Sequence, residues 1–543
     1  MQPRKPESFV RGAMILSLAT LVSRLLGLLY KPAIARIFAP FDGHAGAVGI
    51  GLTQVPVTTY QVILSFTSVG LNVGISKLVA ERMALGDTAG ARRVFRSSLT
   101  IMATLGLIAS VGLWFGASWF AQLISPDVLD TVLGFRAMAP ALFITSVMAA
   151  YRGLFQGFQQ MAPNAYSQII EQVVRVGAGL VLAWSLVRVS VPAGAAGFNF
   201  GDVLGALAGL IYMLVLMRRH GQALWATGQE AASAEPRPEP SRLPGGWALL
   251  KRIFAVAGPI TIIGAVVPLM MMADMFFVFR ALAEVGIRGD EAKAQFGLLT
   301  NVFMIVNLPA IFTTAIYTSI LPAVSGAAAR GLWDEARRKA QQAYRFTFLL
   351  AMPAQAGLWV LAAGLYSLIY ADPAGGPVMA SISWAAVPIM VQQTTSGILQ
   401  GMGKIGLPVR NFVLGALVKV VLTAVWTVSY GIDGAAWATA AGFGLAAILN
   451  LIEVERHLGR TLRTRAMLLK PVGAALVMTG TILLAQRYLP ENDLITLLLI
   501  GVGAGVYGLV ILLLGGVTRR DVERVPRLGL PLAAILGRAR LLR

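Results

Sequence analysis

LATLVSRLLGLLYKPAIAR, residues 18–36, is apolar enough to enter a bilayer, yet it carries Arg24 and Lys31 in its middle and Arg36 at its end. A cation at mid-bilayer costs at least about 2.5–3.5 kcal/mol, so one retained there is paired, hydrated, or both. A basic start (Arg4, Lys5, Arg11) precedes the stretch. It is nevertheless too long and too interrupted for a secretion signal, and no small-residue cleavage site follows. It is expected to be the first membrane helix, kept in the mature protein.

The rest of the chain supports that reading. Of 543 residues, 57% are hydrophobic and 13% charged, against roughly 25% charged in soluble proteins. Apolar runs long enough to span a hydrocarbon core of about 30 Å recur throughout. Fourteen are expected, at 10–38, 47–75, 98–123, 129–157, 164–187, 202–217, 252–280, 296–324, 344–370, 377–402, 407–430, 433–455, 467–487 and 492–515. No stretch alternates long enough for a barrel, so the fold class is all-α and polytopic, because only helices and closed barrels satisfy their backbone inside lipid.

Loop charge orients this map. With the N-terminus in the cytoplasm, 33 of the 45 Lys and Arg fall in cytoplasmic segments and five outside (Arg188, Arg280, Arg288, Lys293, Arg487). Both termini are therefore expected to be cytoplasmic. The same bias accounts for most of the net charge of +20, so no nucleic-acid partner is called for; anionic lipid headgroups are the natural neighbours of the basic runs. With no Cys and only His44, His220 and His457, neither disulfides nor a metal site is expected.

A duplication is visible. GLFQGFQQMAPN from Gly153 resembles GILQGMGKIGLP from Gly397, at an offset of 244, and Ala91-Arg92-Arg93 recurs as Ala336-Arg337-Arg338 at 245. Two six-helix lobes in the same orientation follow, an arrangement found in transporters. The expected boundaries are 1–220 for the first lobe, 221–248 for a cytoplasmic linker, and 249–458 for the second lobe. Helices 13 and 14 occupy 459–515 and a basic cytoplasmic tail 516–543. The last two helices either offer a groove for a lipid tail or simply pack.

Charges within the spans are the candidate site. Arg24 and Lys31, seven residues apart, share nearly one helix face. Asp274 on helix 7 is a candidate partner for them; Arg280, six residues on, lies on another face. Glu171 and Arg175 have the i,i+4 spacing of an intrahelical ion pair, and Arg136, Arg152 and Lys419 lack a local acid. In all, seven cations (Arg24, Lys31, Arg36, Arg136, Arg152, Arg175, Lys419) face three acids (Glu171, Asp274, Glu453). That surplus suits an anion, and guanidinium matches phosphate in a bidentate way. No catalytic signature is present: GMGK at 401–404 does not complete a phosphate-binding loop, and the best available external acids are Glu284, Asp290 and Glu291 on the short 281–295 loop.

SRLLGLLYKPAIARIF from Ser23, GLTQVPVTTYQVILSFTSVGLNVGISKLVAER from Gly51 and the following GD and ARRVFRSSL segments resemble the stage V sporulation protein B branch of the polysaccharide flippases. These are similar to the MurJ-type lipid II flippases of the multidrug/oligosaccharidyl-lipid/polysaccharide exporter superfamily, which includes the MATE transporters. The resemblance implies fourteen helices in two parallel lobes plus two. It also implies a non-enzymatic flippase in the bacterial cytoplasmic membrane, moving undecaprenyl-pyrophosphate-linked sugars, lipid II first among them, by alternating access. By the same resemblance Arg24 matches an Arg that meets the substrate's pyrophosphate, Tyr30-Lys31 stands where the lipid II flippases carry Arg-Asp, and Asp274 and Arg280 match positions on helix 7. Arg136 and Arg152 complete the candidate substrate-binding set. No cofactor is implied beyond a coupling ion such as sodium or a proton; the implied partners are the lipid-linked oligosaccharide, membrane lipids and the cell-wall synthesis machinery. The rivals are a flippase for another lipid-linked polysaccharide precursor, an ion-coupled multidrug exporter on the same fold, and a membrane enzyme acting on lipid-linked sugars through Glu284, Asp290 or Glu291.

Overall fold

The computed structural model describes residue 26 and residues 30–44, 46–232, 247–461, 465–490 and 492–517. Among these the regular structure is entirely helical. The helices are α1 (30–42), α2 (Ala47–Leu64), α3 (Gly70–Ala84), α4 (Thr88–Ile124), α5 (Val132–Gly157), α6 (Ala162–Leu186), α7 (Val191–Ala232), α8 (Trp247–Glu284) and α9 (Gly289–Val306). They continue as α10 (Ala310–Ala329), α11 (Trp333–Val360), α12 (Ala362–Tyr370), α13 (Gly376–Ser383), α14 (Ala386–Gly401), α15 (Gly406–Tyr430), α16 (Ile432–Leu458), α17 (Arg465–Tyr488) and α18 (Asp493–Leu513). A π-turn, Ser65–Val69, joins α2 to α3, and a 3₁₀ turn, Pro126–Thr131, leads into α5.

Among the described residues, 11 helices are long and apolar enough to cross a membrane, and up to 12 if the bent α11–α12 pair forms one span. The fourteen expected spans differ from this in identifiable ways. The first lies mostly outside the described residues. The eighth breaks at Asn307–Pro309, where proline disfavours helix in the residue before it. The tenth breaks at Trp384–Ala385, four residues before Pro388, whose ring clashes with that carbonyl. The ninth bends by 78° between α11 and α12 without a local breaker; there Gly364 meets α18 so closely that a Cβ would lie 2.5 Å from Thr496 Oγ1. The sixth starts at Val191 instead of 202 and runs on to Ala232, into the expected linker. Trp225 anchors that extension: it is buried, with the Arg92 guanidinium over its ring at 5.0 Å and Phe158 edge-on at 5.0 Å.

The chain divides into two compact units, Met1–Gly297 and Leu298–Arg543. In the first, α5 packs on α2, α3, α4 and α7, α6 on α7, and α8 on α2 and α3. One core cluster joins Leu71, Ile75 and Val79 of α3 to Phe95 of α4, Leu154 of α5 and Ile253 of α8. In the second, α10, α11 and α16 surround α14, α15 pairs with α16, and α17 with α11 and α18. Outward residues such as Leu417, Val421 and Val425 of α15, Leu476 and Leu484 of α17 and Leu497 of α18 stay exposed, as lipid-facing surfaces require.

The duplication recurs as packing. Gly153 and Gly157 of α5 rest on Ile75 and Val79 of α3; Gly397 and Gly401 of α14 rest on Ile320 and Val324 of α10. Backbone turns repeat too: Gly86 and Gly331 have φ of 74° and 71°, and Gln159 and Gly403 have 59° and 76°. Positive φ is tolerated readily by glycine, so Gln159 is the copy that carries the strain.

Candidate functional site

In the first unit, charge collects where α5, α6 and α7 meet, with Asp202 buried and Arg152, Glu171 and Arg175 half-buried. Arg152 of α5 donates from Nη2 to Glu171 Oε2 of α6 at 2.7 Å and to Ser167 Oγ at 2.7 Å. Asn164 in turn donates to the Arg152 carbonyl oxygen at 3.1 Å. One turn along α6 from Glu171, Arg175 Nε lies 2.9 Å from Asp202 Oδ1 of α7. The expected Glu171–Arg175 ion pair is therefore replaced by two interhelical pairs. Same-helix neighbours at i,i+4 project side by side, whereas the facing helices bring a carboxylate within 2.9 Å of each guanidinium, hydrogen-bonded at Arg152–Glu171 and a close ion contact at Arg175–Asp202.

These helices approach so closely because glycine recurs every fourth residue on α7, the small-residue pattern that lets membrane helices pack backbone to backbone. A Cβ on Gly201 would lie 2.6 Å from the Arg175 carbonyl oxygen, and one on Gly205 2.6 Å from that of Glu171 and 2.7 Å from Arg175 Cβ. Hydropathy alone misses Asp202 as a helix-interior acid because 188–201, rich in Gly, Pro and Asn, reads as a loop. The spacing Gly197, Gly201, Gly205, Gly209 is the signal that places it on a helix.

The other expected residues are distributed around this cluster. On α1, Tyr30 stacks on Phe198 of α7 with centroids 5.0 Å apart, and the adjacent Lys31 is 6% exposed. Tyr60 of α2 shares a hydrogen bond with Thr145 of α5 at 3.1 Å. Asp274 is half-buried on α8. Arg280 is exposed and lies over the Phe276 ring at 3.8 Å, a cation–π contact. Arg136 is exposed on α5 and outside the network. Arg24 lies outside the described residues.

The second unit builds the related position differently. Arg175 and Lys419 are related by the repeat offset, and a Cβ on Gly442 would meet Lys419 Cβ at 2.5 Å, as Gly205 meets Arg175. Ser167 corresponds to Asn411, which donates to Asn450 Oδ1 at 3.0 Å; Asn450 donates to Thr395 and Ser396 hydroxyls, both at 3.1 Å. Lys419 is 4% exposed, 6.0 Å from the Phe303 ring centroid. Arg410 bonds Glu453 at 2.8 Å nearer the helix end. The first copy thus joins its helices with two ion pairs, and the second with an amide and hydroxyl network tied to the Arg410–Glu453 pair, Arg410 donating to Asn411 Oδ1. Among the described residues no group of His, Asp and Glu is arranged to hold a metal ion.

A family model described as "Polysaccharide biosynthesis protein" matches residues 9–327, more than half of the chain. The chain belongs to this family. Family relatives include stage V sporulation protein B of Bacillus subtilis (strain 168), 27% identical over 530 residues, covering 96% of this chain and 98% of that protein. The lipid II flippase MurJ of the same organism is 25% identical over 467 residues, 83% of each chain. Among solved structures, lipid II flippase MurJ in an inward closed conformation superposes with a TM-score of 0.67 at 15% identity, covering 92% of this chain and 98% of that one. An inward-facing multidrug resistance MATE transporter of the MOP superfamily gives 0.63 at 15%, covering 84% and 99%. The expected kinship is thus shown: a multi-pass membrane protein with the fold of flippases and MATE transporters.

Proposed function

We propose that this protein is a flippase that carries an undecaprenyl-pyrophosphate-linked cell-wall precursor, lipid II foremost, across the cytoplasmic membrane by alternating access. Arg24 and Lys31 receive the pyrophosphate, and Asp274 competes for them in the empty state, so that ligand and carboxylate each favour a different arrangement. The observation that carries the reading is Lys31: a cation 6% exposed on the first helix, in a chain whose relatives include a lipid II flippase. Burying a cation without functional return is costly. Lipid-linked precursors share the pyrophosphate, so another member of that class is the second substrate reading. The MATE likeness favours a third, an ion-coupled exporter of small molecules.

Native mass spectrometry with undecaprenyl-pyrophosphate-linked muropeptide tests it. Wild type is expected to bind, and Arg24→Ala and Lys31→Ala each to lose at least about tenfold in affinity, the equivalent of 1.4 kcal/mol. Equal binding by all three, or binding of cationic drugs instead, sinks the assignment. No cofactor is proposed; coupling to sodium or a proton is read by repeating translocation with each gradient collapsed.

A further inference from the structure

At one end of the first unit, the start of α9 is fastened to the corner between α4 and α5. Lys293 Nζ lies 2.5 Å from Asp130 Oδ2 and 2.6 Å from Asp290 Oδ1, with its own side chain 5% exposed. Beside it, Asp127 Oδ1 accepts from the Gly289 N–H at 3.2 Å, and Asp127 Oδ2 accepts from Ser125 Oγ at 3.1 Å. α9 also sits directly on α2: Gly51 faces the Lys293 carbonyl and Gly297 the Ala47 carbonyl, neither with room for a Cβ. Asp42 holds the start of α2 in place, accepting from the Gly46 and Gly49 N–H groups at 2.9 and 3.2 Å.

We propose that Lys293 pins a latch, with Asp130 as its inner catch, that must part for the transport cycle to proceed at this end of the molecule. Lys293 is a positioning residue in this role, and the transport part of the proposal rests on the flippase reading above. Three features suit a latch better than a permanent weld. α9 begins in the first compact unit and passes into the second after Gly297, so its first turns are fastened separately from the rest. At Gly51 and Gly297 the seat between α2 and α9 sets glycine directly against backbone. Asp130 Oδ1 is buried without a hydrogen-bond partner among the described residues, so the closed arrangement leaves one acceptor unsatisfied, at a cost that opening to water relieves. A partly buried ion pair adds little net stability but specifies one arrangement, and removing one partner is costly.

Burial alone lowers the Lys293 pKa, but the hydrogen bonds and charges of Asp130 and Asp290 outweigh it and hold the pKa above the ordinary 10.5. A raised lysine contributes fully below its unfolded value and is lost only as pH rises through the folded one. With Asp127, Asp130, Asp290, Glu291 and Arg288 the titratable groups around it, the latch therefore stays charged across the neutral range and opens by conformational change.

The absence of cysteine makes a single reporter specific. Ala294→Cys, at a position 5% exposed beside the pin, is placed in nanodiscs, where both faces are accessible, and its maleimide labelling rate is measured. Lys293→Met is expected to raise the rate at least about tenfold, and Lys293→Arg to leave it near the parent value. Asp130→Asn, which preserves shape, is expected to raise it less, because Asp290 remains, and serves if Lys293→Met fails to fold. Parent-like labelling in the Met and Asn variants, or fast labelling in Lys293→Arg as well, overturns the latch. In a second arm, Asp130→Cys with Lys293→Cys is bridged by a bis-methanethiosulfonate; translocation is expected to stop and to return on reduction, and translocation by the bridged protein overturns the proposal. Latch-dependent labelling in a protein that binds no pyrophosphate lipid keeps the latch and removes the flippase reading; lipid binding with unmoved labelling does the reverse.

Discussion

Asp202→Leu is expected to lower the unfolding free energy by about 3–5 kcal/mol, because it strands the Arg175 guanidinium without its 2.9 Å partner. Asp202 is 8% exposed and the Arg175 side chain 24%, so the pair is largely withdrawn from solvent. The informative comparison is the double variant Asp202→Leu with Arg175→Met, which removes both charges and keeps the volume. Replacing a whole buried pair with apolar groups is often neutral, so most of the loss should return. Thermal unfolding of the four proteins in one detergent closes the double-mutant cycle. Additive losses would mean that the two residues are not coupled and that Arg175 is stabilised elsewhere. The Arg152–Glu171 pair, one turn along α6, is expected to respond in the same direction.

Gly205→Leu is expected to be at least as damaging, for a steric reason. Its Cβ would fall 2.6 Å from the Glu171 carbonyl oxygen and 2.7 Å from Arg175 Cβ, so α6 and α7 must separate. Overpacking typically costs about 1–3 kcal/mol, and here separation also pulls Arg175 away from Asp202, so the loss should exceed about 3 kcal/mol. Even Gly205→Ala should destabilise, although alanine is the better helix former by about 0.8–1.0 kcal/mol. Gly177, on the same α6, has open space where its Cβ would stand. Gly177→Ala should therefore be neutral or stabilising, and fluorescence-detected size exclusion after heating separates the two glycines in one experiment. Equal behaviour at both positions would refute close packing as the cause.

The two copies of the duplicated segment show why such sites are tuned independently. The α6–α7 and α15–α16 pairs both depend on glycine against a cation-bearing turn, at Arg175 and Lys419. One copy neutralises its guanidinium groups with carboxylates. The other surrounds the equivalent region with Asn411, Asn450, Thr395 and Ser396, which satisfy one another. Duplicated backbone geometry thus persists where polar side chains have diverged, because the helix approach is set by small residues and the charge by what faces them.

The sequence by itself determined that this is an all-helical membrane protein, because apolar runs of that length have one way to satisfy their backbone in lipid. It also determined the duplication, which Gly157 on Val79 and Gly401 on Val324 reproduce as contacts. What only the tertiary structure decided was partnership. Glu171 belongs to Arg152 and Arg175 to Asp202, Lys293 reaches Asp130 far along the chain, and three expected spans are broken helices. Hydropathy and i,i+4 spacing describe one helix at a time, whereas a buried charge takes its partner from whichever neighbouring helix turns an acid toward it.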